Sequence, residues 1–403
     1  VTNKHNLALA AFFTASFISV SAVELPNLPL EINGEISPYY WLDLTEDQKV
    51  NKGRRITEKE RKYYNRFNVE AVYLGFKLNI TDDIIGDLTL GYESTYYDYN
   101  YIRYAYVDIK NLIPRHDLQI GRIKTPWIYY EDELWGWRNV KRVGVDEYDF
   151  VDGSDYGVGV EGTLVEGYLL HHAAFMNGRG YEPGRYYTSG ERGKDIEYRV
   201  SVFPLAGFGF TEGLSVNGLV HYGNLFADEY TKYWHSTDED LTFGPFTELC
   251  YGGIVGFEHE RFRLGGGYFE HVSGDIFYEY YEVPPYAKPC YKDVKSRLLT
   301  GYGTVRISTW FDVLGRFDRV DPDTDSKDEK YTPYWDESYD AFTDVIAGSA
   351  FKFGGGHFEI VPNYQTRIPE REFNIVENGD GGGSWSYFVP TERRFYVHME
   401  LSF

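Results

Sequence analysis

Phe395-Tyr-Val-His-Met-Glu-Leu-Ser-Phe403 alternates without a break. Phe395, Val397, Met399, Leu401 and Phe403 fall on one face of an extended strand, and Tyr396, His398, Glu400 and Ser402 on the other. Chain ends usually fray, so a strand patterned to its last residue predicts a partner that uses all of it. A closed barrel supplies one, because its last strand must pair with its first.

Working back from this strand, alternating segments occur near 30–42, 66–80, 84–97, 99–112, 117–125, 155–165, 167–177, 195–205, 211–223, 249–260, 262–272, 294–307, 309–319, 342–353, 356–366 and 392–403. Several sort into two faces. Phe311, Val313, Gly315 and Phe317 oppose Asp312, Leu314, Arg316 and Asp318; Phe358, Ile360, Pro362 and Tyr364 oppose Glu359, Val361, Asn363 and Gln365. Tight turns alternate with long polar stretches over 43–65, 125–155, 178–194, 224–248, 273–293, 320–341 and 367–391. The expected fold is all-β, a 16-stranded antiparallel transmembrane β-barrel with short periplasmic turns and long extracellular loops. So wide a cylinder cannot be filled by side chains, so water or an inserted loop must occupy it.

At the other end, Lys4 and His5 precede an apolar stretch from Leu7 to Val20, closed by the small residues of Val20-Ser-Ala22. This predicts a signal peptide over 1–22 and a barrel domain over 23–403, exported through the periplasm to a bacterial outer membrane. A transmembrane anchor is the weaker reading, since the apolar core is shorter than the roughly 20 residues a span needs and contains Thr14, Ser16 and Ser19. The 38 Tyr and 27 Phe suit interfacial girdles around such a barrel. Outer-membrane lipid and lipopolysaccharide are the expected surroundings, and the last strand is the expected handle for the barrel-assembly machinery. A net charge of −22 disfavours nucleic acid and is compatible with a cation-preferring pore.

The stretch Ile128-Tyr-Tyr-Glu-Asp-Glu-Leu-Trp-Gly-Trp-Arg-Asn-Val-Lys-Arg142 sets Trp135 and Trp137, with Trp127 just before them, between Glu131, Asp132 and Glu133 on one flank and Arg138, Lys141 and Arg142 on the other. If the loop folds into the lumen, its rings wedge it against the wall and these six charges line a constriction of opposed sign, whose transverse field orients polar solutes. An external capping loop is the alternative. Expected lumen-facing charges elsewhere are Glu35, Glu93, Arg103, Arg122, Lys124, Arg297, Asp312, Arg316 and Glu359.

The strand–turn–strand Tyr106-Val-Asp-Ile-Lys-Asn-Leu-Ile-Pro114 and Leu118-Gln-Ile-Gly-Arg-Ile-Lys-Thr-Pro126 resembles the segment before the inward loop of the phosphate-selective porin (O and P type) family. Asp155-Tyr-Gly-Val-Gly-Val-Glu-Gly162, Ala174-Phe-Met-Asn-Gly178 and Gly315-Arg-Phe-Asp-Arg-Val-Asp-Pro322 are similar to its later strands. The resemblance implies a homotrimeric channel whose third loop folds inward. Phosphate selectivity is not carried over, because the lumen cations are interleaved with Glu35, Glu93, Asp312 and Glu359.

The remaining motifs carry less. Asp321, Asp323 and Asp325 could offer oxygens to a calcium ion on an external loop, but Ser326 and Thr332 stand where a calcium-binding hand needs Gly and Glu. A solvated acidic loop is the main reading there, and no cofactor is expected. Cys250 and Cys290 are expected to bridge two external loops, two separate thiols being the alternative. His171 and His172, adjacent on a strand, must point to opposite faces and cannot share a metal. No nucleophile elbow, Cys-x-x-Cys pair or phosphate loop is present, so no catalytic residues and no enzyme are expected. The expected function is an outer-membrane porin for passive diffusion of small hydrophilic solutes and ions, narrowed by 125–155. The alternatives are an anion- or phosphate-selective porin and a non-conducting structural or adhesive barrel.

Overall fold

The structure, a computed structural model, describes residues 29–403 apart from 46–47, 53–54, 60–62, 94–98, 179–193, 226–229, 232–241, 244–247, 281–286, 325–340, 371–376, 380–382 and 386–390. The expected signal segment 1–22 lies outside the described residues. Sixteen strands among the described residues close into one barrel. They are β1 (Leu30–Asp43), β2 (Asn65–Asn79), β3 (Ile84–Glu93), β4 (Tyr99–Ile113), β5 (His116–Lys124), β6 (Ser154–Val165), β7 (Leu169–Met176), β8 (Lys194–Val202), β9 (Leu214–Leu225), β10 (Glu248–His259), β11 (Phe262–Tyr280), β12 (Ala287–Ser308), β13 (Phe311–Asp321), β14 (Phe342–Phe353), β15 (Phe358–Pro369) and β16 (Glu392–Ser402). Each pairs antiparallel with its neighbour in the chain. β16 closes the ring on β1, with Glu35 opposite Ser402 and Asp43 opposite Arg394.

The two faces follow the alternation. Val313 and Phe317 of β13 are exposed while Asp312, Leu314, Arg316 and Asp318 are buried; in β15 Tyr364 is exposed while Val361 and Asn363 are buried. Ile36, Leu90, Val107, Ile120, Phe175 and Leu299 stand exposed on the outside as well. This inside-out arrangement, apolar outward and polar inward, is what a surrounding hydrocarbon would select. One expected loop is corrected: 273–293 is largely strand. β11 and β12 stay in register from Phe262 opposite Val305 to Tyr280 opposite Ala287, because an unbroken ladder satisfies every backbone group along its length.

The long connection between β5 and β6 lies inside the barrel. It carries helix α1 (Ile128–Trp135) and the short helix α2 (Gly144–Glu147). In α1 the helical period turns Ile128, Glu131, Leu134 and Trp135 to one buried side. Gly136 ends α1 at φ 72°, its N–H donating to the Asp132 carbonyl. A side chain there would be strained, and its Cβ would fall 2.2 Å from Nη1 of Arg263. The main hydrophobic cluster packs Trp127, Trp135, Trp137, Val140, Val143 and Phe150 of this connection against wall residues that include Leu219, Phe269, Leu298, Leu314 and Val361.

Candidate functional site

Polar anchors fix the inward loop along a broad arc of wall. Trp127 N–H donates to Glu197 of β8 (2.9 Å), and the Tyr130 and Ser215 hydroxyls meet at 3.1 Å on β9. The Trp137 indole N–H donates to Thr304 of β12 (2.7 Å). Arg316 of β13 donates to the Arg142 carbonyl (2.6 Å), and Gln365 of β15 to that of Val140 (3.3 Å). Lys141 and the Tyr148 hydroxyl both donate to Asp344 of β14, at 2.6 and 2.9 Å. Such buried donors and acceptors would be costly unpaired, so the loop is held in one register against the wall.

The loop's other edge is charged. Arg138 forks between Asp132 (2.6 Å) and Asp146 (2.8 Å), and Arg142 reaches Glu147 at 3.5 Å. Across the lumen, Tyr73 of β2 (2.9 Å) and Tyr101 of β4 both donate to one oxygen of Glu93 on β3. The Arg103 guanidinium stacks 4.3 Å over the Tyr73 ring. Arg103 is close enough to act on the loop's acids. Burial pushes Asp146 up, but Arg138, Arg142 and Arg103 outweigh it and hold its carboxyl below the usual range. At Asp132 burial wins over Arg138, and its pKa is raised. The loop edge, Asp132–Arg138–Asp146, and the β2–β4 wall, Tyr73–Glu93–Arg103, thus each carry fixed charges of both signs.

Several expected site residues stand elsewhere. Glu131 does not lie on that edge. It is fully buried, accepts from the Trp127 indole N–H (2.6 Å), and burial pushes its pKa up to about 8. The cause is the helical turn that carries it to the wall with Trp135. Lys141 is an anchor too, bonded to Asp344 and 3.6 Å from Glu147. The expected separation of acids from bases is also corrected, since Asp132 and Arg138 pair directly. Glu133 accepts from the Tyr129 hydroxyl.

Among the wall charges, Glu35 lies on the inward row and accepts from Ser37 (2.8 Å), and Glu93 and Arg103 are placed above. Asp312 and Glu359 flank Lys352 at 2.9 and 3.7 Å. Arg316 is inward but buried against Asp318 (2.8 Å), bracing the loop. Arg122 and Arg297 are corrections: both point outward. Arg122 shares the row of exposed Ile120 and lies 4.9 Å over the ring of exposed Tyr156. Arg297 shares the row of exposed Leu299, 3.5 Å from Glu270, which accepts from Tyr251 and Tyr268. Lys124 sits in the row of Arg122, but its ammonium swings to 4.0 Å from the Tyr129 ring where the chain turns inward.

The expected disulfide does not form. Cys250 is a free, buried thiol on the inward face. Its row continues through His271 to Ser296 on β12, six residues from Cys290 and therefore about 20 Å along the strand. Asp321 ends β13 opposite Arg297 and Asp323 is buried; Asp325 lies outside the described residues. Among the described residues no group of three or more His, Cys, Asp or Glu side chains is disposed to hold a metal ion.

The residues missed from sequence are mostly the partners. Asp146, Glu147, Tyr73 and Tyr101 complete the loop edge and the facing wall, and Asp344 and Lys352 anchor or neutralise their borders. Asp344 and Lys352 could have been found by extending the inward alternation of β14. Tyr73 and Tyr101 are indistinguishable in sequence from the many interfacial tyrosines.

No family model matches the sequence, and no curated protein does. Solved structures match the fold over nearly the whole chain. The anion-selective porin from Comamonas acidovorans is 8% identical with TM-score 0.58, covering 93% of this chain and 99% of that one. OmpF of Salmonella typhi, solved with daunomycin, is 11% identical with TM-score 0.56, covering 95% and 100%. The outer-membrane channel DcaP of Acinetobacter baumannii is 12% identical with TM-score 0.55, covering 93% and 97%. The chain thus has the 16-stranded barrel fold of outer-membrane porins.

Proposed function

We propose that the chain is an outer-membrane porin through which small hydrophilic solutes and ions diffuse down their own gradients. One observation carries this reading: the inward loop packs against one arc of the wall and turns an edge of paired charges, Asp132, Arg138 and Asp146, toward the Tyr73, Glu93 and Arg103 wall. A structural or adhesive barrel has no need of ordered charges of both signs across its interior. The short turns then face the periplasm, the apolar outer rows face lipid and lipopolysaccharide, and the barrel assembles as a homotrimer.

Selectivity is weak, with a bias toward cations. The charged edge is largely self-neutralised through Arg138, and two of the five cations that could have formed an anion path, Arg122 and Arg297, stand outside it. Glu93 adds a carboxylate to the facing wall. The test is planar-bilayer recording of the purified chain with ion substitution, beside liposome swelling with sugars of graded size. Stable channels with a small reversal potential of cationic sign are expected. Impermeable liposomes and a silent bilayer would sink the porin reading, and a strongly anionic reversal potential would replace the weak filter with a phosphate-type one.

A further inference from the structure

His171 and His172 split between the two faces as adjacent strand residues must. His172 is buried inside, and His171 looks outward, where it meets a histidine from a strand it does not pair with. His116, the first residue of β5, and His171 of β7 are both register partners of Gly162 on the intervening β6. Gly162 has no side chain, so the two rings close over it, 5.0 Å between centroids and inclined at 65°. A Cβ on Gly162 would lie 2.3 Å from Cδ2 of His116. The Nε2 atoms of the two rings are 2.9 Å apart.

We propose that His116 and His171 form a binding site for a transition-metal dication, Cu²⁺ above all, on the outer face of the barrel at its short-turn rim. The tautomers support it. Nδ1 of His116 lies 3.0 Å from the Pro114 carbonyl, which can only accept, so His116 carries its proton on Nδ1 and offers a lone pair at Nε2. A backbone carbonyl holding the far nitrogen is the usual way a ligand imidazole is oriented. The proton between the rings therefore belongs to Nε2 of His171. When the ion binds, this proton leaves to water and another enters from water at Nδ1 of His171, so each imidazole stays neutral and both Nε2 lone pairs reach the metal after a small rotation of each ring.

The choice of ion rests on the donor set. The 2.9 Å separation is that of the hydrogen bond between the rings, and imidazole nitrogens bind first-row dications in an affinity order that peaks at Cu²⁺. Water fills the remaining positions. This site lies outside the lumen and does not depend on the porin reading.

The experiment titrates Cu²⁺ alone into the full chain in detergent micelles, following calorimetry and the nitrogen hyperfine pattern in electron paramagnetic resonance. Tight binding of one Cu²⁺ by two imidazole nitrogens is expected. His116→Asn, His171→Asn and Gly162→Ala each weaken it about tenfold or more, while His357→Asn, at an exposed histidine elsewhere on the same rim, leaves it unchanged. On the unmodified chain, Cu²⁺ protects His116 and His171 from carbethoxylation, which holds the test open if a variant fails to fold. Binding that survives His116→Asn and His171→Asn, or a wild-type chain whose His116 and His171 gain no protection, overturns the proposal.

Discussion

From β8 to β15 the inner wall meets the loop with an apolar cluster, Leu219, Phe269, Leu298 and Leu314 against Trp127, Trp135 and Trp137, set among hydrogen-bonded anchors such as Thr304 and Asp344. From β1 to β4 the corresponding rows carry Glu35, Tyr73, Glu93 and Arg103. One barrel interior thus holds two solvents. Along the first arc the hydrophobic effect works as in a soluble protein, with the loop as the covering layer. Along the second the wall is polar, and its charges are held by hydrogen bonds and ring contacts rather than by apolar packing. The loop is the boundary, dry on the face that bears its tryptophans and wet on the edge that bears Arg138.

If that division is right, the largest effect should follow from removing the boundary itself. Deleting 130–140 takes away most of α1 together with Trp137 and Arg138, and single-channel conductance is expected to rise severalfold. An unchanged conductance would mean that the loop does not limit the path. Next comes the dry arc alone. Trp137 is almost fully buried and its indole N–H is bonded to Thr304, so Trp137→Ala should cost about 3–5 kcal/mol in chemical unfolding followed by tryptophan emission. A cost near that of an exposed residue would show that the arc is not a packed core.

Glu131 probes the same arc through pH. Its carboxyl, buried behind the loop, titrates near pH 8 when folded and near pH 4.3 when unfolded. Between those values the folded state holds the extra proton, so stability falls as pH rises through the window and is fully retained below it. Glu131→Gln stays neutral throughout. The variant should lose the decline, on the order of 1–3 kcal/mol between pH 5 and 8, and should outlast the wild type at pH 9. Parallel melting curves for the two across that range would place Glu131 in water after all.

The same division explains what could be read from sequence. Strand positions followed from alternation, which depends only on backbone geometry and survives whichever solvent each face meets. Facing follows only in part, because a polar side chain does not by itself mean lumen. Polarity places Arg103 and Arg316 correctly. It fails on β12, where the loop makes the inward row Leu298, Thr300, Tyr302 and Thr304, leaving Arg297 on the outer side. Glu131 departs from its expected place for a related reason: read as loop, 128–142 groups it with its chain neighbours Asp132 and Glu133, whereas a helical period of 3.6 groups it with Ile128 and Trp135. Cys250 shows the limit of loop-level reading, since Cys290 stands two strands away and about 20 Å along its strand from the row of Cys250.

The smallest expected effect belongs to the wet edge. Arg138 is the shared counter-ion of Asp132 and Asp146, and it is only partly buried, so its removal costs little packing. Arg138→Ala leaves two carboxylates facing the path, with Arg103 and Arg142 as their nearest remaining cations. The local sign shifts toward negative, which favours cations and repels anions. In a hydrated gap that field is screened within about 10 Å at 0.1 M salt, so the cation-to-anion permeability ratio should rise by less than about tenfold, or 1.4 kcal/mol. The rise should shrink further in 1 M salt. A ratio that moves toward anions, or does not move even at low salt, would mean that ions do not pass beside this edge and that the path runs along some other part of the wall.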